Sequence, residues 1–155
     1  MVAPAGRSAL TVQSVRMRTL LVAPVRLVLG VVWLAAALVD GAAGTSALLA
    51  FATGGLALVF LLFNDPRSRF QRIPQAQPLP AEAVVAPAWR HALDAAFPST
   101  VGVSVLAAIS LAFEAVLTAF LGGVVVGLGI GALARARSID GSLYTGSGGR
   151  ALYRK

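Results

Sequence analysis

Residues 99–134 read STVGVSVLAAISLAFEAVLTAFLGGVVVGLGIGALA, and Glu114 is their one ionisable side chain. As a single helix this run would rise about 54 Å, against a bilayer hydrocarbon core of about 30 Å. It has to fold back. Two spans fit, 98–114 and 117–134, with the turn between Glu114 and Thr118, where the carboxylate reaches water. A turn at Gly122-Gly123 would leave only about 11 residues before Arg135, too few to cross.

Two more apolar stretches precede this one. The first covers 20–39, with Pro24 and Arg26 near its start and no charge from Leu27 to Val39. The second, 46–63, is uncharged and ends at Asn64-Asp65-Pro66. Thr45 or Ser46 is expected to cap the second helix, and Pro98 suits the first turn of the third. The first stretch has the basic flank and short apolar core of a signal peptide. Asp40 follows that core directly, so the stretch is read as an uncleaved anchor. The expected fold is an all-α integral membrane protein, with four transmembrane helices arranged as two helical hairpins.

Composition agrees with that reading. Of 155 residues, 57% are apolar and 12% charged, half the charge of an average soluble domain. Cysteine is absent, which removes disulfides, thiolate metal cages, Fe–S clusters and a Cys nucleophile. The single histidine, His91, excludes a bis-histidine haem within one chain. No metal or other cofactor is expected. Arginine is the basic residue everywhere except at Lys155, in a chain rich in Ala, Val and Gly, which resembles coding from a GC-rich bacterial genome.

Orientation follows from the arginines. Arg7, Arg16, Arg18 and Arg26 precede or open the first span. Arg67, Arg69, Arg72 and Arg90 lie between the second and third, and Arg135, Arg137, Arg150, Arg154 and Lys155 follow the fourth. The opposite turns hold only Asp40 and Glu114. The positive-inside rule then places both termini and the central loop in the cytoplasm, in the inner (plasma) membrane. Arg26 is expected to snorkel to that interface. Arg67, Arg69, Arg72, Arg135 and Arg137 are the candidate contacts to anionic lipid headgroups. Nucleic acid is not an expected partner, since aromatic interleaving is missing.

Outside the spans, 1–19 forms a cytoplasmic segment with an amphipathic pattern at Leu10, Val12, Val15 and Met17, read either as an interfacial helix or as a tail. The loop 64–97 is Pro-rich and favours extended backbone. Pro87 opens a short helical pattern with Trp89, Leu93 and Phe97 on one face, read as an interfacial anchor or as a surface for docking a partner subunit. The basic, Gly-rich tail 135–155 lacks the strand and Lys-Ser/Thr of a P-loop.

Catalytic patterns are sparse. Asp40-Gly41 resembles the opening of the CDP-alcohol phosphotransferase motif, but the Ala-Arg that follows in that family and its later paired aspartates are missing. His91 and Asp94 are three apart, not the five of membrane acyltransferases, and are read as a loop pair. The clearest pattern concerns packing. Gly123, Gly127 and Gly131 place two overlapping GxxxG units on one face of the fourth helix, where another backbone can approach closely. Gly30 and Gly54-Gly55 are the intramolecular counterparts to that face, and a helix of another chain is the alternative.

Three functions are therefore weighed. The leading one is a non-enzymatic accessory or scaffold subunit of a larger membrane complex, partnered by another membrane protein or by itself. The second is a small oligomeric transporter or lipid-handling protein with a pathway along Ser104, Ser110, Thr118 and the glycine face, and Glu114 at its mouth. The third is a lipid-modifying enzyme using Asp65, His91, Asp94 and the loop arginines at the headgroup plane.

Overall fold

A computed structural model of the chain describes residues 10–64, 76–78, 99–138 and 151–153. Among the described residues there are four helices: α1 (Val12–Val39), α2 (Gly44–Asn64), α3 (Ser99–Leu111) and α4 (Ala115–Ser138). Three are long and apolar enough to cross a membrane: α1 from Thr19 onward, α2, and α4 as far as Arg137. Helix α3 is not. Its 13 residues rise about 20 Å, short of a hydrocarbon core.

The helix is shorter at its end than the expected span 98–114. The chain leaves the helix at Leu111 because Ser110 gathers the turn. The Ala112 and Phe113 amides donate to the carbonyls of Ile109 and Ser110, tightening the last turn to three-residue spacing. The Glu114 amide also donates to the Ser110 carbonyl, at 2.7 Å. The Glu114 carboxylate then accepts the Val116 amide at 3.3 Å and opens α4. A polar reversal built this way needs neither Pro nor Gly, so the sequence shows no breaker there.

The α1–α2 connection is better signalled. Helix α1 ends in a Schellman motif: the Ala42 amide bonds the Ala37 carbonyl at 3.0 Å, and the Gly41 amide reaches Leu38. Gly41 sits at φ +100°, a backbone region where a Cβ is strained. Helix α2 starts at Gly44, and Ser46 does not cap it in the expected way. Its hydroxyl donates to the Ala43 carbonyl at 2.9 Å rather than accepting an amide. Helix α1 also begins earlier than the expected span, so the stretch from Val12 is continuous with it through Pro24.

Helix α4 is the hub. It packs against α1, α2 and α3, whereas α1 touches α2 and α3 only lightly. Gly30 and Ala23 of α1 lie against Gly122 and Gly129 of α4, so these two helices run antiparallel. Phe51 and Leu58 of α2 lie against Gly123 and Gly127, so α2 runs parallel to α4. The first two helices therefore diverge from their turn to opposite flanks of the last one. A small-residue core of Ala37, Ala47 and Ala119, edged by Leu34, Phe51 and Ala115, fills the space beside that turn.

Three very short strands accompany the helices: β1 (Leu10–Thr11), β2 (Ala76–Pro78) and β3 (Ala151–Tyr153). They pair antiparallel in the order β1-β3-β2, with Tyr153 opposite both Leu10 and Ala76. The pairing joins the segment before α1, the segment between α2 and α3, and the segment after α4.

Candidate functional site: the polar and glycine seams of the bundle

Glycine determines how closely α4 is approached. A Cβ at Gly123 would overlap the Phe51 carbonyl oxygen, and one at Gly54 would overlap that of Phe120. A Cβ at Gly127 would meet the Gly55 carbonyl oxygen at 2.9 Å. On the other flank, a Cβ at Gly122 would come within 2.8 Å of the Gly30 carbonyl oxygen. Backbone therefore lies on backbone along both seams. Gly123 and Gly127 face α2, Gly122 and Gly129 face α1, and Gly131 is buried on α4. Two seams arise because a stripe with a period of four drifts slowly around a helix, while the neighbouring Gly122 points about 100° away from Gly123.

The second element is Arg26. It does not snorkel outward, as its position near the start of the span suggests. The side chain is 8% exposed and turns inward across the bundle. Nε donates to Thr100 Oγ1 at 2.7 Å, Nη2 to Ser99 Oγ at 3.2 Å, and Nη1 to the Leu128 carbonyl at 3.3 Å. One guanidinium thus joins α1, α3 and α4. Burial of so strongly hydrated a group is tolerated only where its donors are satisfied. The start of α3 at Ser99-Thr100 supplies two of the acceptors. The signal was present in sequence as a charge inside an apolar run followed by a distant Ser-Thr pair, but nothing in the chain order connects the two.

A third element lies near the far end of α3. Ser110 Oγ and Thr118 Oγ1 are 2.9 Å apart and buried, and the Ser110 hydroxyl is also 2.9 Å from the Ala107 carbonyl. Among the described residues two buried polar atoms lack hydrogen-bond partners, Trp33 Nε1 on α1 and Ser104 Oγ on α3.

At the same end, the two connections border an open hollow of about 330 Å³ lined by residues 40–43 and 111–116, with Asp40 and Glu114 at its edge. Among the described residues no three His, Cys, Asp or Glu side chains gather as a metal-holding group. Arg135 and Arg137 stand in the last turn of α4, where cations favour the helix C-terminus, and Arg137 is exposed. Arg67, Arg69, Arg72, Trp89, Leu93 and Phe97 lie outside the described residues, as do Asp65, His91, Asp94 and Pro98. Compared with protein-family models, curated proteins and solved structures, the chain finds no match.

Proposed function

We propose that this chain is a non-enzymatic, four-span inner-membrane protein with both termini and the central loop in the cytoplasm, acting as an accessory or scaffold subunit of a larger membrane assembly. One observation carries this reading: Arg26, Ser110 and Thr118, polar groups of the interior, are engaged in holding helices together. Arg26 binds two neighbouring helices, Ser110 binds Thr118, and the glycine seams are filled by backbone. Such an interior is built for fixed packing.

The same observation weighs against a pathway along Ser104, Ser110, Thr118 and the glycine face, because all of these except Ser104 Oγ already have protein partners. Partner contacts then fall to the outer apolar faces, where Val28, Leu56 and Phe60 are about two-thirds exposed, and to the cytoplasmic segments. The four-span topology is supported by the arginine distribution and by the β1-β3-β2 pairing, which needs its three segments on one side of the membrane. On this topology α3 and the connection after it complete the short crossing.

The test is purification of the tagged chain from its native membrane in mild detergent, with measurement of complex mass and of co-purifying proteins. A stoichiometric membrane-protein companion is the expected result. Recovery as a monomer or homo-oligomer carrying only lipid overturns the subunit reading.

A further inference from the structure

We infer that the side of α4 between α2 and α3 seats one anionic phospholipid of the cytoplasmic leaflet, with an acyl chain on Val124 and Leu128 and the phosphate on Arg135. The inference rests on the membrane-spanning orientation proposed above and not on a companion subunit. Helices α1, α2 and α3 pack around α4, but α2 and α3 do not pack against each other. The helical wheel of α4 places the gap they leave. Gly122 faces α1 and Gly123 faces α2, so Val124, about 100° further round, points past α2 on the side away from α1. Thr118, which meets Ser110 of α3, lies about 120° beyond that. Val124 therefore stands in the opening. Leu117, Leu128 and Arg135 share its line, since the steps from Leu117 to Val124, Leu128 and Arg135 are close to two, three and five whole turns. Leu117 is 47% exposed, and Val124, Leu128 and Arg135 are half-buried.

The chemistry of this line selects its occupant. Toward α1 and α2, helix α4 presents Gly122, Gly123, Gly127 and Gly129 and receives backbone. In the gap it presents leucine and valine. Helix contacts in membranes favour small residues, whereas a pliable acyl chain fits over branched aliphatic side chains. Depth points the same way. Val124 lies about 16 Å along the helix axis from Arg135, and half of a hydrocarbon core of about 30 Å is one leaflet. A phosphate at Arg135 thus lets its acyl chain run past Leu128 to Val124 and stop near the midplane. Arg135 stands in the last turn of α4. Its guanidinium has five donors in a fork that matches phosphate oxygens, enough for a phosphate beside its contacts within the protein.

Native mass spectrometry of the full chain, purified in detergent and delipidated, would follow titration with phosphatidylglycerol and, separately, with phosphatidylcholine of the same acyl chains. One phosphatidylglycerol should be retained per chain, at least roughly fivefold more tightly than phosphatidylcholine. Arg135→Gln should weaken that binding roughly fivefold, and Arg135→Lys should weaken it less. Val124→Trp fills the gap at constant charge and should abolish the single bound lipid. Arg137→Gln removes an equal charge from the nearly opposite side of the same turn, so its loss should be smaller than that of Arg135→Gln. Equal losses from the two arginine variants, several lipids bound alike, or equal affinity for the two headgroups each overturn the seat, because attraction to a basic surface would then suffice. A companion helix that excludes lipid from the gap overturns it while supporting the subunit reading. A chain that stays in solution without detergent overturns the membrane reading and the seat together.

Discussion

Ser110 and Thr118, eight residues apart in the chain, face each other at 2.9 Å across the reversal between the third and fourth helices. The contact fixes where the long apolar run folds back. Thr118 also lies within 3.4 Å of the Ala107 carbonyl, so the threonine hydroxyl reaches two turns of the opposing helix.

Replacing Thr118 with Val keeps the volume and removes the hydroxyl. Interhelical hydrogen bonds in membranes contribute about 0.6 kcal/mol on average, and up to about 2 kcal/mol. Thr118→Val is expected to destabilise the protein within that range in denaturant titrations in detergent micelles. A cycle with Ser110→Ala should show coupling between the two sites, and full additivity would mean that the pair does not interact.

Alanine at Gly123 places a Cβ where the Phe51 carbonyl oxygen already lies. Backbone cannot yield as a flexible side chain can, so the two helices must separate and lose their contact. Gly123→Ala should lower the thermal unfolding midpoint clearly. Gly102→Ala is the control, since nothing lies within 4 Å of its Cβ, and it should be neutral or stabilise α3 by up to about 1 kcal/mol. Equal midpoints for the two variants would refute close packing at Gly123.

Gly41 poses a different problem from Gly123. Space around it is open, but its φ of +100° is unfavourable for any residue with a side chain. Gly41→Ala is expected to cost about 1–2 kcal/mol, and Gly41→Asn less, because Asn tolerates left-handed backbone. The ordering Gly, Asn, Ala in stability is the readout, and a stable alanine variant would show that the turn relaxes.

Single cysteines introduced at Ala43 and at Arg137 test the orientation. An impermeant thiol reagent added to intact cells should label position 43, and should label position 137 only after the membrane is opened. Labelling of both from the same side contradicts the four-span arrangement.

Much of this architecture was legible from hydropathy. The second apolar run is read at 46–63, and an apolar helix lies at Gly44–Asn64, since an uncharged run with a clear polar end leaves little freedom. The third helix covers Ser99–Leu111 within the expected 98–114, since apolar composition measures tolerance of lipid and not helix length. The end of α3 is a tightened backbone turn on the Ile109 and Ser110 carbonyls, beside a Ser110–Thr118 contact that no local pattern displays. Arg26 was misjudged for a related reason. Its position suggested snorkelling, whereas its acceptors lie more than 70 residues away. The glycine spacing pointed to close helix approach, but which neighbour fills each seam depends on how α1 and α2 are placed around α4.

The placement of α4 has a consequence for biogenesis. On the proposed topology, synthesis delivers the helices in order, so α1 and α2 would enter the bilayer while the surface that both require is still inside the ribosome. They touch each other only lightly, and their glycines present bare backbone to lipid until α4 arrives. On that topology the nascent chain would pass through an interval in which two inserted helices are unassembled. Arrival of α4 would end that interval in one step, because it supplies the surface for both.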